Sequence, residues 1–102
     1  MKYYAIAEVS VTNPSWVAEY LAQVNQLVTS YGGKYLARTS KVDLVEGGGT
    51  AHQTSVILEF PSSDAAYGFY NSPEYLPLRE ARKAGSVGKF YFVAGEDAAN
   101  EN

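Results

Sequence analysis

YGGKYLAR, residues 31–38, decides how the chain divides into secondary structure. Its glycine pair is typical of a helix end, because glycine adopts the left-handed conformation that a helix C-cap favours. Before the pair, apolar residues recur at i, i+3, i+4 and i+7 over residues 17–31, which predicts an amphipathic helix. After the pair, the pattern predicts a strand that carries one arginine, Arg38, among apolar neighbours.

Working outward from this stretch, the same criteria predict four strands and two helical segments. The predicted strands are residues 3–11, 34–45, 52–60 and 88–95, and the predicted helical segments are residues 14–31 and 61–85. The second segment is predicted to break and restart at Ser72-Pro73-Glu74, with a new cap and a proline at the first position, and to bend at Pro77. The order β-α-β-β-α-β is that of the ferredoxin-like α+β fold, with a four-stranded antiparallel sheet. We therefore expect a single domain over residues 1–94 and a flexible acidic tail over residues 95–102.

The composition excludes several classes of protein. The 102 residues include no cysteine, so disulfides and thiolate metal sites are excluded. The formal net charge of −3 argues against a protein that binds nucleic acid through its phosphates. We expect no membrane segment and no signal peptide, hence a cytoplasmic protein. With a single histidine, His52, we also expect no metal and no cofactor.

Period-two counting along the strands assigns each side chain to one face of the sheet. Ala5 and Ala7 of the first strand suit the face covered by helices, together with Thr54, Val56, Leu58 and Phe60 of the third. An arginine under the helices would lose its hydration, so Arg38 is placed on the free face. A hairpin turn centred on residues 48–49 would set Arg38 opposite Glu59, which predicts an ion pair between them.

The free face is too apolar to be left in water, since Tyr4 and Ile6 share it with the charges of Glu8, Arg38 and Glu59. The simplest cover is the same face of a second copy, in a C2 homodimer. We expect a cavity between the two sheets, with His52 near its mouth.

Several segments resemble one known family. YYAIAEVSVTNP, YGGKYLAR and VILEFPSSDAAYGFYNSPEY, with Leu78-Arg79, are similar to the DUF1330 family of uncharacterised proteins in the dimeric α+β barrel superfamily. The resemblance covers residues 2–93 and implies a homodimer of ferredoxin-like chains. It implies no particular reaction, although the wider superfamily includes cofactor-free monooxygenases, muconolactone-type isomerases and haem enzymes.

The resulting hypothesis is a homodimer whose inter-sheet cavity binds a small anionic or oxygenated organic molecule, with or without catalysis. As a cofactor-free enzyme it would use Arg38 to hold a ligand oxygen and Glu59 as acid or base, with Tyr4, Glu8 and His52 as further ligand contacts. The alternative is a regulatory or structural module in which Arg38 and Glu59 form only a buried ion pair.

Two other groups of residues are interpreted as structural. The cations near the end of the second helical segment, Arg79, Arg82 and Lys83, complement the helix dipole and are interpreted as a solvated face. The tyrosines of the helices are interpreted mainly as packing residues: Tyr31, Tyr67, Tyr70 and Tyr75.

Overall fold

The computed structural model describes residues 1–100. In chain order its elements are β1 (Tyr3–Val11), a 3-10 turn (Pro14–Trp16), α1 (Val17–Ser30), β2 (Lys34–Thr39), β3 (Thr54–Phe60), α2 (Ser63–Tyr70), α3 (Leu76–Ala84) and β4 (Ser86–Ala94). The strands form one four-stranded antiparallel sheet in the order β2-β3-β1-β4. The predicted ferredoxin-like α+β fold is confirmed.

Local signals place most helix ends where the sequence predicts them. Asn13 Oδ1 accepts a hydrogen bond of 3.0 Å from the backbone of Ser15, and a proline follows at the first position of the turn. Gly32 ends α1 with a φ of 78°, a conformation that a residue with a Cβ rarely adopts. Ser62 caps α2 by accepting from the backbone N–H of Ala65 at 3.1 Å.

The second helical segment differs from the prediction at its restart. Ser72 is followed by a turn over residues 73–75 instead of by the helix itself, although its Oγ accepts from the backbone N–H of Tyr75 at 3.1 Å as an N-cap side chain does. The helix α3 starts at Leu76, so Pro77 falls in its first turn. There a missing N–H removes no helical hydrogen bond, and the predicted bend at Pro77 was therefore wrong.

The helix-covered face of the sheet is the one predicted. Ala5, Leu58 and Phe60 are buried in one cluster with Val24 of α1 and Phe69 of α2. Aromatic rings from both layers complete the cluster, among them Tyr75, Phe90 and Phe92. No helix within residues 1–100 covers the opposite face of the sheet.

The predicted pairing of Arg38 with Glu59 was wrong. Glu59 lies opposite Lys34, and Arg38 lies opposite Val56. An irregularity between Tyr35 and Ala37 shifts the register by one residue, as a β-bulge does, and thereby moves Arg38 to the face that carries the helices.

Strand lengths explain why the hairpin argument failed. The strand β2 ends at Thr39 and not at residue 45, and β3 begins at Thr54 and not at His52. Residues 40–53 form a long loop, so no tight turn at residues 48–49 sets the register. The predicted tail lies in part beyond the described residues, at 101–102, and its flexibility stays a prediction.

Candidate functional site

A cavity of about 520 Å³ lies between the sheet and the helices α1 and α3. This volume is in the range of small-molecule sites. The lining is mostly apolar, with Val24, Leu58 and Phe69 among its buried members. The cavity belongs to the helix-covered side of a single chain, whereas the predicted cavity was on the free face between two chains.

Small side chains on β1 leave the space open. Ala5 and Ala7 point from the sheet toward α1 and supply only a methyl group each. Val24 of α1 is buried, but Leu21, one turn earlier, is 47% exposed at the cavity edge. Trp16 closes another side, where its ring N–H donates to the carbonyl oxygen of Gly85 at 3.0 Å.

The inner part of the cavity carries two tyrosine hydroxyls and a guanidinium. The hydroxyls of Tyr20 and Tyr75 lie 2.7 Å apart, and the Tyr75 side chain is fully buried. Arg82 of α3 lies over the ring of Phe90, with 5.4 Å between Cζ and the ring centre. Its Nε and Nη2 atoms are buried and find no hydrogen-bond partner among residues 1–100. Two buried N–H donor groups are thus free to bind a ligand.

These inner groups hold a positive charge beside the phenol of Tyr20. Burial, reinforced by the Tyr75 hydroxyl, raises the pKa of Tyr20 well above its ordinary value. Burial alone would lower the pKa of Arg82, but its interactions with Tyr75 and Tyr20 outweigh that effect, and the pKa of Arg82 is raised. At neutral pH the site therefore presents a guanidinium and the protonated hydroxyl of Tyr20.

The outer part of the cavity is formed by Arg38 at the edge of the sheet. Its Nη1 donates to Asn25 Oδ1 of α1 at 2.6 Å, and its Cζ lies 3.8 Å from the ring centre of Tyr35. Burial raises the pKa of Tyr35 against the opposing effect of Arg38. Asn25 and Arg38 are exposed, so this end of the cavity opens to solvent.

The electrostatic character of the cavity is positive. Within the described residues the lining contains Arg38 and Arg82 but no carboxylate and no histidine. None of the ion pairs found in residues 1–100 involves either arginine. Arg79, in contrast, contacts Glu80 at 3.4 Å and donates to the carbonyl oxygen of Tyr70 at 2.9 Å.

Of the five predicted site residues, the structure brings only Arg38 to this cavity. Glu59 lies on the free face, opposite Tyr4, and pairs with two lysines, Lys2 at 3.3 Å and Lys34 at 3.8 Å. Glu8, on the same face, lies opposite Lys89. Glu59 therefore has the surroundings of a structural ion-pair partner on the outer surface.

His52 lies in the loop just before β3, at the opposite end of the sheet from Tyr4. Its Nδ1 is 3.0 Å from the hydroxyl of Ser10, which also accepts from the backbone N–H of Gln53 at 3.1 Å. Ser10 follows the free-face parity of β1, two residues after Glu8. The structure thus leaves Tyr4, Glu8, His52 and Glu59 away from the cavity that contains Arg38.

Sequence reasoning missed Arg82, Tyr20 and Tyr75 as site residues. Arg82 was grouped with the solvated cations of α3, yet it follows the buried Leu78 by four residues and so shares its helix face. That spacing was the available signal. The Tyr20–Tyr75 contact joins residues far apart in sequence, and no local pattern predicts it.

Two further searches of the structure give negative results. In residues 1–100 no three histidine, cysteine or acidic side chains cluster as metal ligands would. Over the same residues no helix has the length and apolar character needed to cross a membrane.

Comparison with protein families gives one match over nearly the whole chain. Residues 2–96 match the family described as "Domain of unknown function (DUF1330)". No protein with a curated function matches the sequence significantly.

Solved structures share the fold at low sequence identity. RPA0582 of Rhodopseudomonas palustris, described as a protein of unknown function, is 15% identical with a TM-score of 0.76, and the match covers 94% of this chain and 83% of that one. SnoaB of Streptomyces nogalater, described as a cofactor-independent oxygenase, is 16% identical with a TM-score of 0.64 over 98% of both chains. Rv0793 of Mycobacterium tuberculosis is 18% identical with a TM-score of 0.56, over 98% of this chain and 100% of that one. At such identities the likeness shows the fold alone.

Proposed function

We propose that the chain binds a small organic anion in the cavity between its sheet and its helices. The chain belongs to the DUF1330 family, whose description assigns no activity, so the proposal is argued from the residues of the cavity. The ligand would be a carboxylate, phenolate or enolate with an apolar body of ring size. Its anionic oxygen would accept hydrogen bonds from Arg82, and its body would contact Trp16 and Phe69.

The observation that carries this proposal is the pair of buried donor groups on Arg82. Buried guanidinium nitrogens that find no hydrogen-bond acceptor, as Nε and Nη2 of Arg82 do within residues 1–100, destabilise the fold, typically by about 1–3 kcal/mol. An anionic ligand would remove that penalty through charge-assisted hydrogen bonds, which are the strong ones. The absence of carboxylates from the lining of the described chain leaves the charge of Arg82 available to the ligand.

The lining favours binding over proton transfer. A general base with a pKa near neutrality is the usual requirement for abstracting a proton. The titratable groups around the cavity are tyrosines and arginines, and the pKa of Tyr20 is raised away from neutrality. A non-catalytic binding role is therefore favoured. A cofactor-free reaction of the kind named for SnoaB is the second possibility, with a substrate that ionises readily beside Arg82.

A matched pair of fluorescent probes tests the proposal. The anion 8-anilinonaphthalene-1-sulfonate and the neutral N-phenyl-1-naphthylamine share one aromatic framework and differ in the sulfonate. Trp16 is the single tryptophan of the chain and lines the cavity, so energy transfer from it reports occupancy. We expect saturable binding of the anion, at least about ten-fold tighter than that of the neutral probe.

Two arginine variants of α3 supply the control. Arg82→Met should remove the preference for the anion and leave the neutral probe unaffected. Arg79→Met changes the same residue type on the same helix, outside the cavity, and should alter neither affinity. Equal affinities of the two probes for the wild-type chain, or an unchanged preference in Arg82→Met, would contradict the proposal.

We also propose that the free face of the sheet pairs with that of a second copy in a homodimer. At the centre of this face, Ile6 lies opposite Ile57 on one side and Tyr91 on the other. The Tyr91 side chain is 44% exposed. Toward the ends, Glu8 lies opposite Lys89, and Glu59 is paired with lysines, so the face is apolar at its centre and balanced in charge around it. Such a patch is suited to self-association under two-fold symmetry.

A further inference from the structure

The two arginines of the cavity stand at opposite ends of one row of residues across the sheet. Arg38 of β2 lies opposite Val56 of β3, Val56 lies opposite Ala7 of β1, and Ala7 lies opposite Phe90 of β4. Arg82 lies over the ring of Phe90. The row thus has a guanidinium at each end and small or branched apolar side chains between.

Strand spacing sets the width of this row. The strands β2 and β4 are the outer strands, separated by three inter-strand steps, or about 14 Å of backbone. Both arginine side chains line the cavity, so this width sets the scale of the span between them. The intervening floor, Val56 and Ala7, offers no polar side chain.

Each guanidinium retains donors for a ligand. Arg82 has its buried Nε and Nη2 groups, which no acceptor in residues 1–100 contacts. Arg38 uses Nη1 for the neutral amide of Asn25, which leaves its positive charge uncompensated and its remaining N–H groups available. No acidic side chain of the described residues lies within ion-pair distance of either.

We propose that the natural ligand is a dianion, or a monoanion with a second oxygen acceptor at its far end, whose flat apolar body lies along this row. This inference rests on the proposed function and adds the arrangement of the ligand's polar groups. One anionic group binds Arg82 at the inner end. The other binds Arg38 at the open end, and the body covers Val56 and Ala7. Arg38 is thereby the residue that selects for the second charge.

Calorimetric titration of a matched pair of ligands tests the proposal. The pair is 2-naphthoate and 2,6-naphthalenedicarboxylate, which share one ring system and differ in a carboxylate at the far end. We expect the naphthalene dicarboxylate to bind about ten- to a hundred-fold tighter than 2-naphthoate, the gain of a second charge-assisted contact.

Variants assign the second contact. Arg38→Met should bring the dicarboxylate to the affinity of 2-naphthoate and leave 2-naphthoate unchanged. Arg38→Lys keeps the charge without the planar fork, so it should retain part of the gain. Because Arg38 is exposed, both variants are expected to fold, which circular dichroism checks.

The outcomes separate the two proposals. If 2-naphthoate binds through Arg82 but the second carboxylate adds nothing, or Arg38→Met weakens both ligands equally, the dianion proposal is overturned and the binding function stands. If neither naphthalene ligand binds and the sulfonate probe also fails to distinguish Arg82→Met, the binding function itself is overturned.

Discussion

Arg82 is the residue at which stability and the proposed function conflict. Its side chain stacks over Phe90, but two of its nitrogen atoms are buried without an acceptor in the described chain. Replacing an unpaired buried charge with an apolar side chain of similar length is often neutral or stabilising. The proposed function therefore assigns the Arg82 guanidinium to its ligand rather than to the fold.

We therefore expect Arg82→Met to leave the free energy of unfolding unchanged or to raise it by up to about 2 kcal/mol. Urea denaturation without added ligand measures the change. Arg79→Met should lower stability by about 1 kcal/mol, because it loses a hydrogen bond to the carbonyl oxygen of Tyr70. A large loss of stability in Arg82→Met would mean that the guanidinium is a structural group after all.

Arg38 shows what a residue pattern does and does not predict. The argument against burying an arginine under the helices was sound for a fully covered face. At the sheet edge, however, α1 leaves the cavity open, and Asn25 and Tyr35 contact the guanidinium there. The residue type indicated a polar site, but its location depended on a one-residue shift in β2 that no local pattern announces.

Among the elements, β1, α1 and β3 follow the sequence prediction closely, because each has a clear period and clear end signals. Asn13 and Gly32 supply two of those signals, with a cap and a left-handed backbone. The strand β2 does not follow the prediction. It has six residues and a register shift, so the alternation of its side chains does not determine which of them face the helices. Residues 40–45 and 52–53 likewise gave no sign that they would leave the sheet.

The end of α3 and the start of α1 meet at Gly85, and this junction shapes the cavity. The carbonyl oxygen of Gly85 accepts from the Trp16 ring at 3.0 Å, and a Cβ at residue 85 would overlap that ring. The Trp16 ring therefore fits against residue 85 only because that residue is glycine.

Gly85→Ala should displace Trp16 and destabilise the chain by about 1–3 kcal/mol, as overpacking does. The tryptophan emission should shift to longer wavelength, because the ring moves toward water. Gly48→Ala is the matched control, since a Cβ there meets nothing within 4 Å. An unchanged emission wavelength and an unchanged free energy of unfolding in Gly85→Ala would contradict the close packing of the Trp16 ring against residue 85.

At the scale of the whole molecule, assembly and binding are separate properties. The cavity is enclosed by elements of one chain, while the proposed dimer contact uses the opposite face of the sheet. Binding should therefore survive dissociation, in contrast to a cavity formed between two sheets.

Light scattering over a dilution series should give twice the mass of one chain for the wild type. Ile6→Lys places a charge at the centre of the free face and should yield monomers that still bind the sulfonate probe. Gln23→Lys adds the same charge on the exposed surface of α1 and should remain dimeric. A monomeric wild type would refute the dimer, and loss of binding on dissociation would refute the independence of the cavity.

The most direct test of the central claim observes the arginine side chains themselves. The chain contains Arg38, Arg79 and Arg82, so nitrogen-15 spectra of the Nε–H groups offer two cavity residues and an internal control. On titration with 2-naphthoate, we expect a saturable shift of the Arg82 resonance with the Arg79 resonance unchanged. A ligand that binds without moving the Arg82 resonance would contradict it.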